Sequence, residues 1–448
     1  VRTSFGAWYA LAVLTVVTLF AVVDRQVLVL QAETIRKALQ ISDAQLGLMQ
    51  GTGVALFAAL ASYPLSWFAD RYDRRLVLAG CLVVWSTAVV ACGMAQTYEA
   101  MLFASAMVGA GEAGLVPIVY ALIPALFHDK SRQTANSIYA LATGTGGALA
   151  MIVGGQLIAA SGALRASLPG SLNGLEEWRI SFLAAAAPAP IMILLIATIV
   201  LRPGQAKQAV AATETSPDHA APSKVSLLAY YRDHPFTFAG FYFGIALQAM
   251  GFGAVTSWLV VICMRQFGET PAQVGAGVGM GSLISLPLGF LASIVISRVF
   301  SQRVGVVLPI RATRIAFMVS TLLLASLALA TTALHVYVIA FLIMLTLISG
   351  SMFLPTAVQS LAPSHLRARV IAVQLVISSI FAAVSPPVVG LLSDQYKTVP
   401  NGLLLSALAI GVPCLVATVL AFYLCELGFE RTVAHAKQLN DETPQTAT

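Results

Sequence analysis

Charge is what this sequence has least of: 10% of its 448 residues are Asp, Glu, Lys or Arg, where an ordinary soluble domain carries roughly 25%. Hydrophobic residues make up 58%. A water-soluble fold cannot bury that much apolar surface and keep a solvated exterior, so lipid must serve as solvent for much of the chain. There is no Gly-x-x-x-x-Gly-Lys-Ser/Thr loop, which argues against drive by ATP. No Ser, His and Asp meet at one depth, and no His/Cys/Asp/Glu set has metal-ligand spacing. The sequence therefore offers no catalytic centre, no metal site and no cofactor site. The five cysteines, Cys81, Cys92, Cys263, Cys414 and Cys425, lie in apolar runs without a Cys-x-x-Cys and read as free thiols. The net charge of +6 is not gathered into a basic stripe with interleaved aromatics, which argues against nucleic acid. Val1 to Phe5 do not read as a signal peptide, and the apolar run that follows has no cleavage site.

What is present is a series of apolar runs near the ~20 residues that a bilayer crossing requires. They fall at 7–30, 46–68, 76–96, 99–127, 133–160, 178–201, 236–264, 272–297, 307–333, 336–362, 367–393 and 401–425. Ser42 and Gln45 form a capping-box pattern ahead of the second run, and Thr270, Pro271 and Gln273 repeat it ahead of the eighth. Of the 25 Lys and Arg, eighteen fall on the side that carries both termini and six on the other, leaving Arg25 inside the membrane. Positive charge collects on the cytoplasmic side, so both termini are expected there.

The longest polar stretch between runs, 202–235, divides six from six and reads as a flexible linker. The halves echo one another. Pro287-Leu288 lies 223 residues after Pro64-Leu65, Pro355 and Pro363 answer Pro117 and Pro124, and Gly390 answers Gly155. The expected fold is an all-α membrane protein of twelve transmembrane helices in two six-helix, pseudo-symmetric halves. Its parts are an N-terminal half 1–201, the linker 202–235, a C-terminal half 236–427 and a tail 428–448, mobile from about Glu430.

Three charges lie near the middle of the membrane within the apolar runs: Asp24, Arg25 and Glu112. Each costs on the order of 3 kcal/mol in a membrane helix. At ~1.5 Å per residue Asp24 lies ~24 Å and Glu112 ~22 Å from the cytoplasmic ends of their helices, similar depths that allow one shared site. A carboxyl group in low dielectric takes up a proton more readily than in water. His128, His219, His234, His335, His365 and His435 all fall in loops or at ends, so the two acids are the proton carriers available. Arg25 would pair with whichever acid is ionised and release it on protonation. The alternative is a static ion pair holding the first and fourth runs together. Ser105 (seven residues from Glu112, on the same helix face), Tyr120, Tyr139, Gln248, Trp258 and Gln374 are candidate substrate contacts, with helix packing as the competing role for each. Gly251 and Gly253 mark a candidate hinge in the seventh run.

The chain resembles the major facilitator superfamily. The loop Ser66-Trp67-Phe68-Ala69-Asp70-Arg71-Tyr72-Asp73-Arg74-Arg75 is similar to that family's Gly-x-x-x-Asp-Arg-x-Gly-Arg-Arg, with Ser66 and Asp73 in the glycine positions. Within it the N-terminal half resembles the spinster branch of lysolipid and sphingosine-phosphate-type carriers. Asp24-Arg25, Gly109-Ala110-Gly111-Glu112-Ala113 and Trp178-Arg179-x-x-Phe182 carry the likeness, and Ser105 stands where that branch usually has arginine. Gly146, Gly154 and Gly155 partly match the superfamily's antiporter motif, with Ala150 and Met151 in place of its glycine and proline. The resemblance implies a cytoplasmic gate at Asp70, Arg71, Arg74 and Arg75, with Asp70 meeting the start of a helix in the other half. Ordinary positive-inside anchoring would account for the arginines but not for Asp70.

The expected function is a proton-coupled secondary carrier working by alternating access on an amphipathic, lipid-like or organic-anion solute. Protons and membrane lipids are its partners, and it is expected as a monomer in a bacterial inner membrane. The alternatives are another facilitator, either a sugar-acid or organic-anion symporter or a drug exporter, and a gradient-independent lipid scramblase.

Overall fold

The computed structural model describes residues 5–127, 129–167, 174–199 and 226–441, and every regular element among them is helical. Eleven segments are long and apolar enough to cross a membrane: Phe5–Leu30, Asp43–Arg71, Arg74–Met94, Tyr98–Leu126, Ser131–Ser167, Glu177–Ala197, Pro235–Phe267, Pro271–Leu329, Ala333–Leu361, Arg367–Gln395 and Gly402–Asp441. Pro271–Leu329 holds two crossings, because Pro271–Val304 is separated from Leu308–Ser326 by a tight turn at Gly305–Val307. All twelve expected spans are therefore present, numbered below in chain order. Leu60, Phe103, Leu194 and Leu322 are each more than 60% exposed, as a surface facing lipid requires.

Local sequence explains where the spans start and break. The Ser42 hydroxyl accepts the Gln45 N–H at 3.1 Å while the Ser42 N–H donates to Gln45 Oε1 at 2.9 Å. Thr270 and Gln273 do the same, at 3.3 and 2.8 Å. Span four is two helices, Tyr98–Glu112 and Leu115–Leu126, joined at Ala113–Gly114. Pro117 has no N–H for the Ala113 carbonyl, so the ladder breaks there. Span ten repeats this: Ala333–Ser351 and Leu354–Leu361 meet at Met352–Phe353, where Pro355 has no N–H for the Ser351 carbonyl. Span seven breaks at Ser257–Trp258 rather than at the glycines expected to hinge it. Gly251 and Gly253 lie inside the helix Pro235–Thr256 and admit close neighbours instead: a Cβ on Gly251 would stand 3.0 Å from Cys414 Cβ.

The chain divides into two compact units, Val1–Asp218 with Leu259–Met280, and His219–Trp258 with Gly281–Thr448. In the first, Trp85, Tyr139 and Phe182 are buried. Arg179 donates to the carbonyls of Gly93 and Ala95 at 3.1 and 2.5 Å, placing a cation on the C-terminal end of span three. In the second, Phe317 stacks on Phe422 with centroids 5.7 Å apart, and Trp258 is buried. The expected mobile tail is helical through Asp441, because Phe429, Val433 and Ala436 continue the buried stripe of span twelve. Most of the expected linker lies outside the described residues, but Leu227–Asp233 is a short helix whose Tyr230 hydroxyl donates to the Leu361 carbonyl at 2.8 Å. None of the five cysteines is in a disulfide; four are buried and Cys414 is half-buried.

Candidate functional site

The first unit assembles the intramembrane charges. On span one the buried stripe runs Leu14, Val17, Ala21, Asp24, Leu28, at the 3–4 residue spacing of one helix face. Asp24 occupies a position where that pattern asks for an apolar residue, and it is 1% exposed. Its Oδ2 accepts the Trp85 indole N–H from span three at 3.1 Å, while Oδ1 is buried without a partner. Arg25, about 100° further round the helix, is exposed.

Glu112 reaches this place because span four carries glycine where neighbours must come close. A Cβ on Gly111 would lie 2.6 Å from Trp85 Cβ and 2.7 Å from its backbone nitrogen, and one on Gly109 2.6 Å from the Val54 carbonyl oxygen. Both distances are shorter than real Cβ contacts. Gly109 and Gly111 thus seat span four against spans two and three, and Glu112 follows at the end of its helix with Oε1 buried and unpartnered. Asp24 and Glu112 act on one another electrostatically, and Arg25 acts on Glu112. Arg25 forms no ion pair with either acid in this structure.

The candidate substrate contacts separate into packing and cavity residues. Ser105 is fully buried and donates to Leu102 O of its own helix at 2.9 Å. The Thr18 hydroxyl donates to Leu14 O at 2.8 Å, so the buried Tyr139 hydroxyl, 3.0 Å from Thr18 Oγ1, is the donor between those two. Tyr120 stands edge-on to Tyr139 with centroids 5.2 Å apart. Its exposed side lines a cavity of about 500 Å³ with Arg132, Gln133, Asn136, Ser137 and Ala140. In the second unit Trp258 donates to Pro386 O at 3.2 Å, a tie between spans seven and eleven, while Gln248 and Gln374 are half-buried.

The Asp70–Arg75 loop divides its work. Arg74 is 8% exposed and donates to Ala69 O at 3.4 Å and Ala121 O at 2.9 Å, fastening the loop to span four. Arg75 pairs with Asp73 at 2.6 Å and also donates to the Ile199 carbonyl. Asp73 caps span three by accepting the Arg75 N–H, and its φ of −59° needs no glycine. The Arg75 hydrogen bond holds the Asp73 carboxyl below the usual range against the opposing effect of burial. Arg71 lies over the Trp67 ring at 4.0 Å, and Asp70 is exposed. Removing the buried Arg74 contacts leaves backbone acceptors unpaired, at about 1–3 kcal/mol, whereas an exposed cation–π contact is worth about 0.5–1 kcal/mol. Arg74→Gln is therefore expected to lower the thermal unfolding midpoint by clearly more than Arg71→Gln, as followed by fluorescence in detergent.

Sequence reading missed Trp85, which sits in an apolar run and gave no signal beyond its indole N–H. It also missed Gln133, Asn136 and Ser137, and counted Arg132 only as loop charge.

The profile of the Major Facilitator Superfamily matches residues 14–386. The chain belongs to that superfamily. Its members are membrane transporters rather than enzymes, and this facilitator is an integral multi-pass membrane protein. It is 27% identical over 398 residues to an MFS-type efflux pump of Mycolicibacterium smegmatis, covering 87% of this chain and 85% of that protein. It is 29% identical over 186 residues to protein spinster homolog 3 of Danio rerio, covering 41% of this chain and 37% of that one. The structure of a bacterial homolog of the human lysosomal transporter Spinster, inward-facing and occupied, shares the fold over the full length of both chains, with TM-score 0.73 and 21% identity.

Proposed function

We propose that this facilitator is a proton-coupled secondary carrier working by alternating access on an amphipathic solute with an anionic or strongly polar group. The observation that supports coupling is the pair of acids, Asp24 and Glu112, each with one buried oxygen left without a partner and in electrostatic reach of one another, with Arg25 in reach of Glu112. Two carboxylates close together in low dielectric resist double ionisation. Binding and release of a proton therefore changes the local charge, and with it the attraction of Arg25. A charge change that favours one of two conformations is what couples a proton to the side on which the carrier opens. The cavity beside Tyr120, with Arg132 and three hydrogen-bonding side chains, supports a polar group on the substrate. Gln248 and Gln374 are the contacts proposed in the second unit. Exposed Asp70 fits a cytoplasmic latch. The protein is proposed to work as a monomer in a bacterial inner membrane with both termini in the cytoplasm.

The substrate class is tested by thermal stabilisation of purified protein. A ligand at about 100 times its Kd adds about 2.7 kcal/mol to the folded state. Lysolipids are expected to raise the midpoint more than sugar acids of equal charge. Stabilisation by sugar acids alone would favour the symporter reading.

A further inference from the structure

A second charge cluster lies at the end of span two opposite the Asp70–Arg75 loop, and nothing above uses it. Glu33, on the helix Ala32–Leu39 after span one, is 2% exposed, and Asp43, in the first turn of span two, is 3% exposed. Arg265, in the last turn of span seven, reaches both: Nε donates to Glu33 at 2.6 Å, and the two terminal nitrogens fork onto Asp43 at 2.8 and 2.6 Å. Arg36 donates twice to Glu33 at 3.0 Å and stands 3.7 Å from Asp43, and Lys37 is 3.6 Å from Glu33. Beside this network, spans five and eight touch backbone to backbone: a Cβ on Gly155 would meet Ala272 Cα at 3.1 Å.

We infer that Arg265, Glu33 and Asp43 form a charge gate, and that their parting opens this carrier on the side opposite the Asp70–Arg75 loop. Two features make the cluster a gate rather than a fixed brace. Arg265 is its only member contributed by span seven, so one separation breaks every bond that crosses from that span to the two acids. Spans one and two keep their own balance when Arg265 leaves, since Glu33 and Asp43 retain Arg36 and Lys37. The acids are thus not stranded as lone buried charges, which makes parting reversible. Arg265 becomes a lone cation at the mouth that has just opened.

The cluster also responds to acid. Burial works to raise the Glu33 carboxyl, but the hydrogen bond from Arg36 and the charge and hydrogen bond of Arg265 outweigh it and hold the carboxyl below its usual range. Parting removes the Arg265 share of this lowering and leaves the Arg36 share, so the closed arrangement is favoured fully above the carboxyl's value in the parted state. That contribution fades as pH falls through the lower value. The groups facing it are Arg36, Lys37, Asp43 and Arg265.

The inference rests on alternating access but not on proton coupling, so it is tested without a gradient. Ala148, 7% exposed, has its carbonyl oxygen 2.8 Å from where a Gly279 Cβ would stand, on the same face of span five as Gly155. In an Ala148→Cys background, alkylation by a membrane-impermeant maleimide is followed against the parent chain as blank. Arg265→Gln is expected to raise the rate at least tenfold, and Arg265→Asp combined with Asp43→Arg to bring it back within threefold of the background. Arg265→Lys, which keeps the charge but loses the fork, should fall between. If Arg265→Gln does not fold, Asp43→Asn removes the fork's partner with little change of shape and should raise the rate likewise. Rates within twofold of background in a folded variant, or no recovery in the exchanged pair, would overturn the gate. Neither result bears on Asp24 and Glu112.

Discussion

Glu112→Gln is expected to abolish gradient-driven accumulation while leaving exchange down a concentration gradient intact. Glutamine keeps the size and polarity of the side chain but has no proton to take up or release. One pH unit across the membrane supplies about 1.4 kcal/mol per proton, enough for about tenfold accumulation at one proton per solute. The unsubstituted protein in liposomes should approach that ratio, and the variant should settle near unity. The distinction matters because Glu112 ends its helix beside Asp24 without an ion pair to Arg25. A static structural pair would make Glu112→Gln a stability defect. A coupling acid makes it a thermodynamic one, with the folded protein and its exchange activity preserved. The readout is therefore the accumulation ratio together with counterflow of labelled solute, not initial rate alone.

Gly111→Val is expected to be strongly damaging in the first unit. Its Cβ would fall 2.6 Å from Trp85 Cβ and 2.7 Å from the Trp85 nitrogen, where nothing can yield without moving a helix. Overpacking of this kind costs about 1–3 kcal/mol, and more where backbone is the obstacle. It would also displace the indole that donates to Asp24. A drop of several degrees in unfolding midpoint, with loss of accumulation even at low temperature, is the expected result. Gly80→Val, at a position with nothing within 4 Å of its added Cβ, is the control and should leave both unchanged.

How much of this was legible beforehand depended on the kind of signal. Ser42 with Gln45 marked the start of span two, and Pro117 and Pro355, read only as an echo between the halves, fall at the breaks of spans four and ten because proline chemistry is local. Asp24 and Glu112 stood out because charge in an apolar run is costly wherever the run folds. Trp85 did not stand out, since an indole in a lipid-facing run and one donating to a buried acid look alike in sequence. Glu33, Asp43 and Arg265 were hidden for a different reason. Each lies where loop charge is ordinary, and only folding brings residues 222 and 232 positions apart to 2.6 Å. The tail was misread because a polar stretch was weighed by composition, while its apolar positions kept the helical period through Ala436.

The most direct test of the central claim is a lumenal pH reading in liposomes. Purified protein is reconstituted with a pH-sensitive dye inside and no imposed gradient, and a stabilising lysolipid is added outside. Coupled movement predicts a substrate-dependent pH change that vanishes in Asp24→Asn and Glu112→Gln. Substrate entry without any pH change, or an equal change in both variants, would contradict proton coupling through these two acids.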